Sequence, residues 1–158
     1  MFDKQITDLG RKHLTSQLLK AGVEVLPISN NSEIDIVARL SRNNPHEVSF
    51  ACPIKIRPSK DARFGVQRIY EETKNLLIVH VWDVLSNDPE VFALTYSEAV
   101  ALLDKRGHTM TRSWKVLGGY SLAANSWWTE QLSRYRMHPE SWRETIESVC
   151  LTGKSKSA

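Results

Sequence analysis

Asp35 and Lys55 are the two side chains best placed to do chemistry. Asp35 lies in Ser32-Glu33-Ile34-Asp35-Ile36-Val37-Ala38, and Lys55 in Phe50-Ala51-Cys52-Pro53-Ile54-Lys55-Ile56-Arg57. Both runs are apolar and β-branched and read as strands. An acid flanked by two isoleucines is unusual there, because Asp is depleted in strands and a half-buried charge needs a partner. A carboxylate on one strand can hold Mg2+, which takes hard oxygen donors. An ammonium on the next can orient an attacking water or stabilise charge developing at phosphorus. That pairing suits hydrolysis of a phosphodiester. The alternative is an Asp35–Lys55 ion pair with no catalytic duty.

A metal-dependent hydrolase would need more oxygen ligands than Asp35 alone. Glu33, two residues earlier, shares its strand face, and Glu71 and Glu72 lie on an expected second helix. The candidate metal set is therefore Asp35, Glu33 and Glu71. The other reading leaves these glutamates in solvent, where Glu is common. Around the lysine, Arg57, Lys60, Arg63 and Arg68 form a basic group that could follow a nucleic-acid backbone by salt-sensitive, sequence-blind contacts. Asp61, Glu71 and Glu72 could equally balance it as a solvated face.

The elements that must hold these residues can be read from periodicity. Ile6, Leu9, Leu14 and Leu18 predict a helix over residues 3–21, with Gly22 at its end. Strands are expected over 23–26, 34–40 and 48–57, separated by polar turns at 29–32 and 42–45. Pro53 suggests that the third strand is at an edge, bulged or bent. A second helix is expected over 61–74. The run Leu76-Leu77-Ile78-Val79-His80-Val81-Trp82 has the character of a central strand covered on both faces. A strand over 90–95 and a helix capped by Ser97 and running to about residue 105 follow. Residues 112–128, rich in Gly, Ser and Trp, read as an ordered loop. Helices are expected from Trp127 or Trp128 to about 135, and from Pro139 to about 150. Residues 152–158 read as a flexible tail.

Helix, then Gly22-Val23-Glu24-Val25-Leu26, then Glu33-Ile34-Asp35-Ile36-Val37-Ala38, then the strand bearing Lys55 resembles the PD-(D/E)XK restriction-endonuclease-like superfamily over residues 5–82. In small endonuclease-like and Holliday-junction-resolvase-type members the corresponding stretches run Gly-Glu-Ile-Asp-Leu-Val-Ala and Phe-Val-Glu-Val-Lys-Thr-Arg. Asp35 matches the metal-binding Asp, Lys55 the catalytic lysine, and Arg57 a position that is often basic. The resemblance implies an α/β fold with a mixed central sheet flanked by helices, here with an added C-terminal helical segment at about 112–150. It also implies Mg2+ as cofactor and DNA as partner. Three positions depart from the pattern. Pro53 stands where the second carboxylate belongs. Gly10 is followed by Arg11, Lys12 and His13 rather than by an acid, and Ser32 replaces the Gly before Glu33. The function implied is a Mg2+-dependent DNA endonuclease with an eroded site, or a nucleic-acid-binding remnant of one. The alternative is a non-catalytic interaction or dimerisation module that keeps the nuclease fold.

The totals fit this reading without demanding it. The chain has 158 residues, enough for one domain with a real core, expected over 1–151. A formal charge of +3 permits nucleic-acid binding, but a dedicated non-specific binder is usually more basic. The aromatic residues Trp114, Tyr120, Trp127, Trp128, Tyr135 and Trp142 could stack on bases, form a homodimer surface, or pack a helical layer onto the sheet. The packing reading is favoured. His13, His46, His80, His108 and His138 have no metal-ligand spacing, and His80 reads as a core histidine. Cys52 and Cys150 match no zinc pattern. Cys52 reads as a buried free thiol, which suits a reducing, cytoplasmic setting. No signal peptide or membrane-spanning run is expected.

Overall fold

In the computed structural model, which describes residues 2–30, 33–41 and 49–155, five strands form one mixed sheet with helices on both faces. Helix α1 (Phe2–Lys20) leads into strands β1 (Glu24–Pro27), β2 (Ile36–Leu40) and β3 (Phe50–Pro58). These three pair antiparallel in chain order. The chain then crosses over to β5 (Leu77–Trp82), parallel to β3, and returns in β6 (Glu90–Thr95), antiparallel to β5. The sheet order is β1-β2-β3-β5-β6. The turn expected at 42–45, part of that at 29–32, Val48, His46 and residues 156–158 lie outside the described residues.

Every side chain of β5 is buried, so the expectation of a doubly covered central strand holds. On one face Leu14 and Leu18 of α1 meet Ile36, Cys52, Ile54, Val79 and Val81. Trp142, Ile146 and Val149 of α5 (Trp142–Thr152) join them. Trp142 also donates its indole N–H to Gln17 of α1 across 2.9 Å, so the two helices share one polar contact inside this layer. On the other face a second layer contains Phe64, Tyr70, Ile78, Trp82, Phe92 and Trp128. Trp114, Trp128, Tyr135 and Trp142 are all buried within the chain, which is the internal packing expected of the C-terminal aromatics.

Two segments differ from expectation. Residues 61–74 are not an α-helix. They form strand β4 (Arg63–Gln67) and a 3-10 turn, Arg68–Glu72. The loop expected over 112–128 contains a short helix α3 (Arg112–Lys115) and strand β7 (Gly119–Ala123), followed by the start of helix α4 (Ser126–Leu132). β4 and β7 pair antiparallel in a two-stranded ribbon laid over the second face of the main sheet. Phe64, Gly65 and Val66 are buried, Gly65 beneath the Arg57 side chain, while Arg63 and Gln67 at the strand ends stay exposed. Trp82 Nε1 donates to the Arg63 carbonyl at 2.7 Å and fastens the ribbon to β5.

Three smaller corrections have local causes. Helix α2 (Tyr96–Lys105) is capped by Thr95 rather than Ser97. Thr95 Oγ1 accepts the Glu98 N–H while Glu98 Oε1 accepts the Thr95 N–H, a reciprocal capping box. The tail is partly docked, since buried Ser155 donates its N–H and its hydroxyl to Glu98 Oε2. Pro53 lies inside the sheet, opposite Val37, and not at an edge. The Ile54 carbonyl faces β2, where it accepts the Asp35 N–H at 2.9 Å. Backbone groups alternate sides along a strand, so the Pro53 nitrogen faces β5. Pairing with β5 begins only at Ile54, and the missing N–H therefore breaks no ladder bond.

Candidate functional site

Along β3, Cys52, Ile54 and Ile56 are buried towards α1 and α5, while Pro53, Lys55 and Arg57 alternate onto the opposite face. Asp35 sits one residue before β2 begins. Its backbone is pinned on both sides: its N–H donates to the Ile54 carbonyl, and its carbonyl accepts from Ile28 at 3.2 Å. Its carboxylate Oδ2 accepts the Ile56 N–H at 2.7 Å. β2 has not yet begun at this point, so the side chain takes the ladder position that a residue preceding β2 would have filled. A hydrogen bond to a charged acceptor contributes about 1.5–3 kcal/mol. Asp35 is therefore a strand-end anchor as well as an acid.

Two cations complete its surroundings. Lys55 Nζ lies 3.6 Å from Oδ2, and an Arg11 guanidinium nitrogen lies 3.9 Å from Oδ1. Both distances are ion-pair contacts rather than tight hydrogen bonds. The expected meeting of Asp35 and Lys55 is present. Arg11 was not anticipated as a partner, because on α1 it reads as an ordinary surface residue and nothing local points it at Asp35.

The surroundings do not fit a Mg2+ ion. Among the described residues no group of three or more His, Cys, Asp or Glu side chains is placed to share a metal. A lysine and an arginine stand around the one carboxylate, its inner oxygen is committed to a backbone N–H, and Pro53 offers no side-chain oxygen on the Lys55 face. Of the other proposed ligands, Glu33 is half-buried just before β2. Glu71 lies in the 3-10 turn after β4 and lines a separate groove.

Two adjoining clefts flank the ribbon. The smaller, about 270 Å³, is lined by Lys55, Arg57, Ser59, Arg63, His80 and Ser121. The larger, about 870 Å³, is lined by Arg57, Arg68, Glu71, Glu72, Ser113 and Tyr120 among others. Arg57 and Ser121 border both. Arg57 is held in place: its guanidinium donates to Tyr70 Oη at 2.7 Å and packs directly against Gly65 of β4. A side chain at Gly65 would occupy the space of that guanidinium. No carboxylate pairs with Arg57 among the described residues, so the chain holds a positioned and unneutralised cation where the clefts meet. Lys60, Arg63 and Arg68 are exposed. Arg68 donates to the Lys115 carbonyl at 3.3 Å and so follows the larger groove.

Beneath Arg57, His80 of β5 is fully buried and stacked on Phe64, with ring centroids 4.7 Å apart. Its Nε2 lies 3.2 Å from the Gly65 nitrogen and 3.1 Å from the Gly65 oxygen. Burial, reinforced by the Arg57 charge, lowers its pKa from 6.5 to about 3. The ring is neutral at physiological pH and serves as a core residue, as expected. One compensated carboxylate thus stands beside Lys55, whereas Glu71 and Glu72 share the larger groove with Arg57 and Arg68. No family model, no curated protein and no solved structure matches this chain.

Proposed function

We propose that the chain is a nuclease-type scaffold that holds a nucleic-acid backbone without cutting it. The antiparallel meander β1-β2-β3 with a crossover to parallel β5 is compatible with a restriction-endonuclease-like core. The single observation that carries the reading is the state of Asp35. Its carboxylate is spent on the Ile56 N–H, Lys55 and Arg11, while Pro53 stands on the Lys55 face where a second carboxylate would be needed. With the acid neutralised, the balance of charge on this face favours a phosphate chain, with Arg57 at the centre and Lys60, Arg63 and Arg68 beside it. A Mg2+-dependent endonuclease would require a carboxylate that these residues do not supply.

The test is binding of fluorescently labelled duplex and single-stranded DNA by anisotropy over a salt series. Binding should weaken steeply with salt, and Arg57→Ala should lower the slope of log K against log salt by about one. Incubation with Mg2+ should leave the DNA intact. Cleavage that vanishes in Asp35→Ala would overturn the non-catalytic reading, and absence of binding at low salt would overturn the nucleic-acid reading. A second reading, a protein-interaction or homodimer module, draws on Met110, Val116 and Leu117, three exposed apolar side chains in one short stretch beside the larger groove. Sedimentation of the full chain distinguishes it, since a self-associating module would lose its dimer in Leu117→Glu.

A further inference from the structure

The two cysteines are 98 positions apart in sequence, yet the fold brings them together. Cys52 is on β3 with its side chain fully buried beneath α5, and Cys150 is on α5 and half-buried. Cys150 Sγ lies 3.6 Å from the carbonyl of Ala51, the residue just before Cys52. Cys52 Sγ donates to the Asn75 carbonyl at 3.4 Å, and the nearby Cys52 side chain lowers the pKa of the Cys150 thiol. Both are free thiols. Helix α5 packs directly on strand β3, and Cys150 lies against the core cluster that contains Cys52.

We propose that Cys52 and Cys150 are an oxidation site, closed to an intramolecular disulfide by hydrogen peroxide or a related hydroperoxide. Cys150 is the attacking sulfur, being the more accessible of the two. The neighbouring Cys52 side chain draws its pKa down to about 7, which gives a substantial thiolate fraction at neutral pH. The first step forms a sulfur–oxygen bond at Cys150 and breaks the peroxide O–O bond, and the departing hydroxide takes up a proton to become water. In the second, Cys52 gives up its proton and its sulfur bonds to Cys150. The S–O bond breaks, and the leaving hydroxide takes that proton as a second water. Two thiols lose two electrons in all, and one peroxide is reduced to two waters. The buried position of Cys52 keeps competing reagents from the resolving thiol.

The test uses the full chain treated with a modest excess of hydrogen peroxide, then alkylated with iodoacetamide under denaturing conditions and weighed intact. The expected product is monomeric, lighter than the starting protein by two hydrogens, and carries no alkyl group. Its non-reducing peptide map should contain a Cys52–Cys150 linked pair that dithiothreitol releases. In Cys52→Ala the oxidation should halt at a sulfenic acid on Cys150 that dimedone traps. Oxidised wild type that still alkylates at both cysteines, that passes to sulfinic acid at Cys150 without a cross-link, or that links only between chains would overturn the proposal. The wild-type mass and peptide map decide the matter whether or not the variant folds.

Discussion

His80 makes acid stability a direct probe of the layer beneath Arg57. In the unfolded chain its imidazole titrates near 6.5, whereas in the fold burial and the Arg57 charge hold that value at about 3. Between these two pH values the unfolded chain binds a proton that the native chain refuses, so stability falls as pH is lowered through this window. At about 1.4 kcal/mol per pH unit the full span corresponds to a ceiling of about 5 kcal/mol, of which about 2.7 kcal/mol has been lost by pH 4.5. Carboxylates also titrate there, so the quantity to read is a difference of differences. Urea unfolding of wild type and His80→Gln, followed by tryptophan fluorescence at pH 7.5 and 4.5, isolates it. His80→Gln loses the stacking on Phe64 at both pH values, and that loss cancels. Wild type should lose about 2–3 kcal/mol more than the variant, which is roughly 1–2 M in urea midpoint at a slope of about 2 kcal/mol per M. Equal losses in the two proteins would refute the argument, because His80 would then be titrating like a solvated imidazole.

Two further substitutions test the positioning of the site and the layer behind it. Gly65→Ala should push the Arg57 guanidinium off β4. The expected result is a stability loss of about 1–3 kcal/mol by urea unfolding, together with DNA binding weakened towards the Arg57→Ala level. Trp142→Phe keeps most of the buried ring but leaves Gln17 without its indole donor. It should lower stability by about 1–3 kcal/mol by the same measurement and leave DNA binding unchanged.

Elements whose signal is local were legible in the sequence. The leucine spacing of α1, the unbroken apolar run of β5 and the strand at 90–95 each fall within one residue or so of expectation. Asp35 and Lys55 were legible as a pair because charged residues inside isoleucine-rich runs need partners. The larger failures are long-range. Arg63-Phe64-Gly65-Val66-Gln67 alternates as a strand should, but its partner strand begins at Gly119, inside a Gly- and Ser-rich stretch with no strand pattern of its own. Without that partner, a helix over 61–74 was the simpler reading of Phe64, Ile69 and Tyr70. The role of Gly65 as a seat for Arg57, the approach of Arg11 to Asp35 and the meeting of Cys52 with Cys150 depend in the same way on pairings between distant segments.

The ribbon also sets an order of events. Joining Arg63–Gln67 to Gly119–Ala123 closes a loop that contains β5, β6 and α2. Such a closure has a large entropic cost that only long-range contacts can recover, and contacts of this kind form late and slowly. The five-stranded sheet can assemble from segments that are nearer in sequence, and the ribbon then closes over it as a lid on finished masonry. His80 is sealed and Arg57 is seated only at that last stage. In hydrogen-exchange terms, the amides of β4 and β7 should form an opening unit of their own, less protected than those of β3 and β5. Each transient lifting of the ribbon would wet the imidazole and free the guanidinium together, so that the anion site and the second core layer are lost and regained as one event.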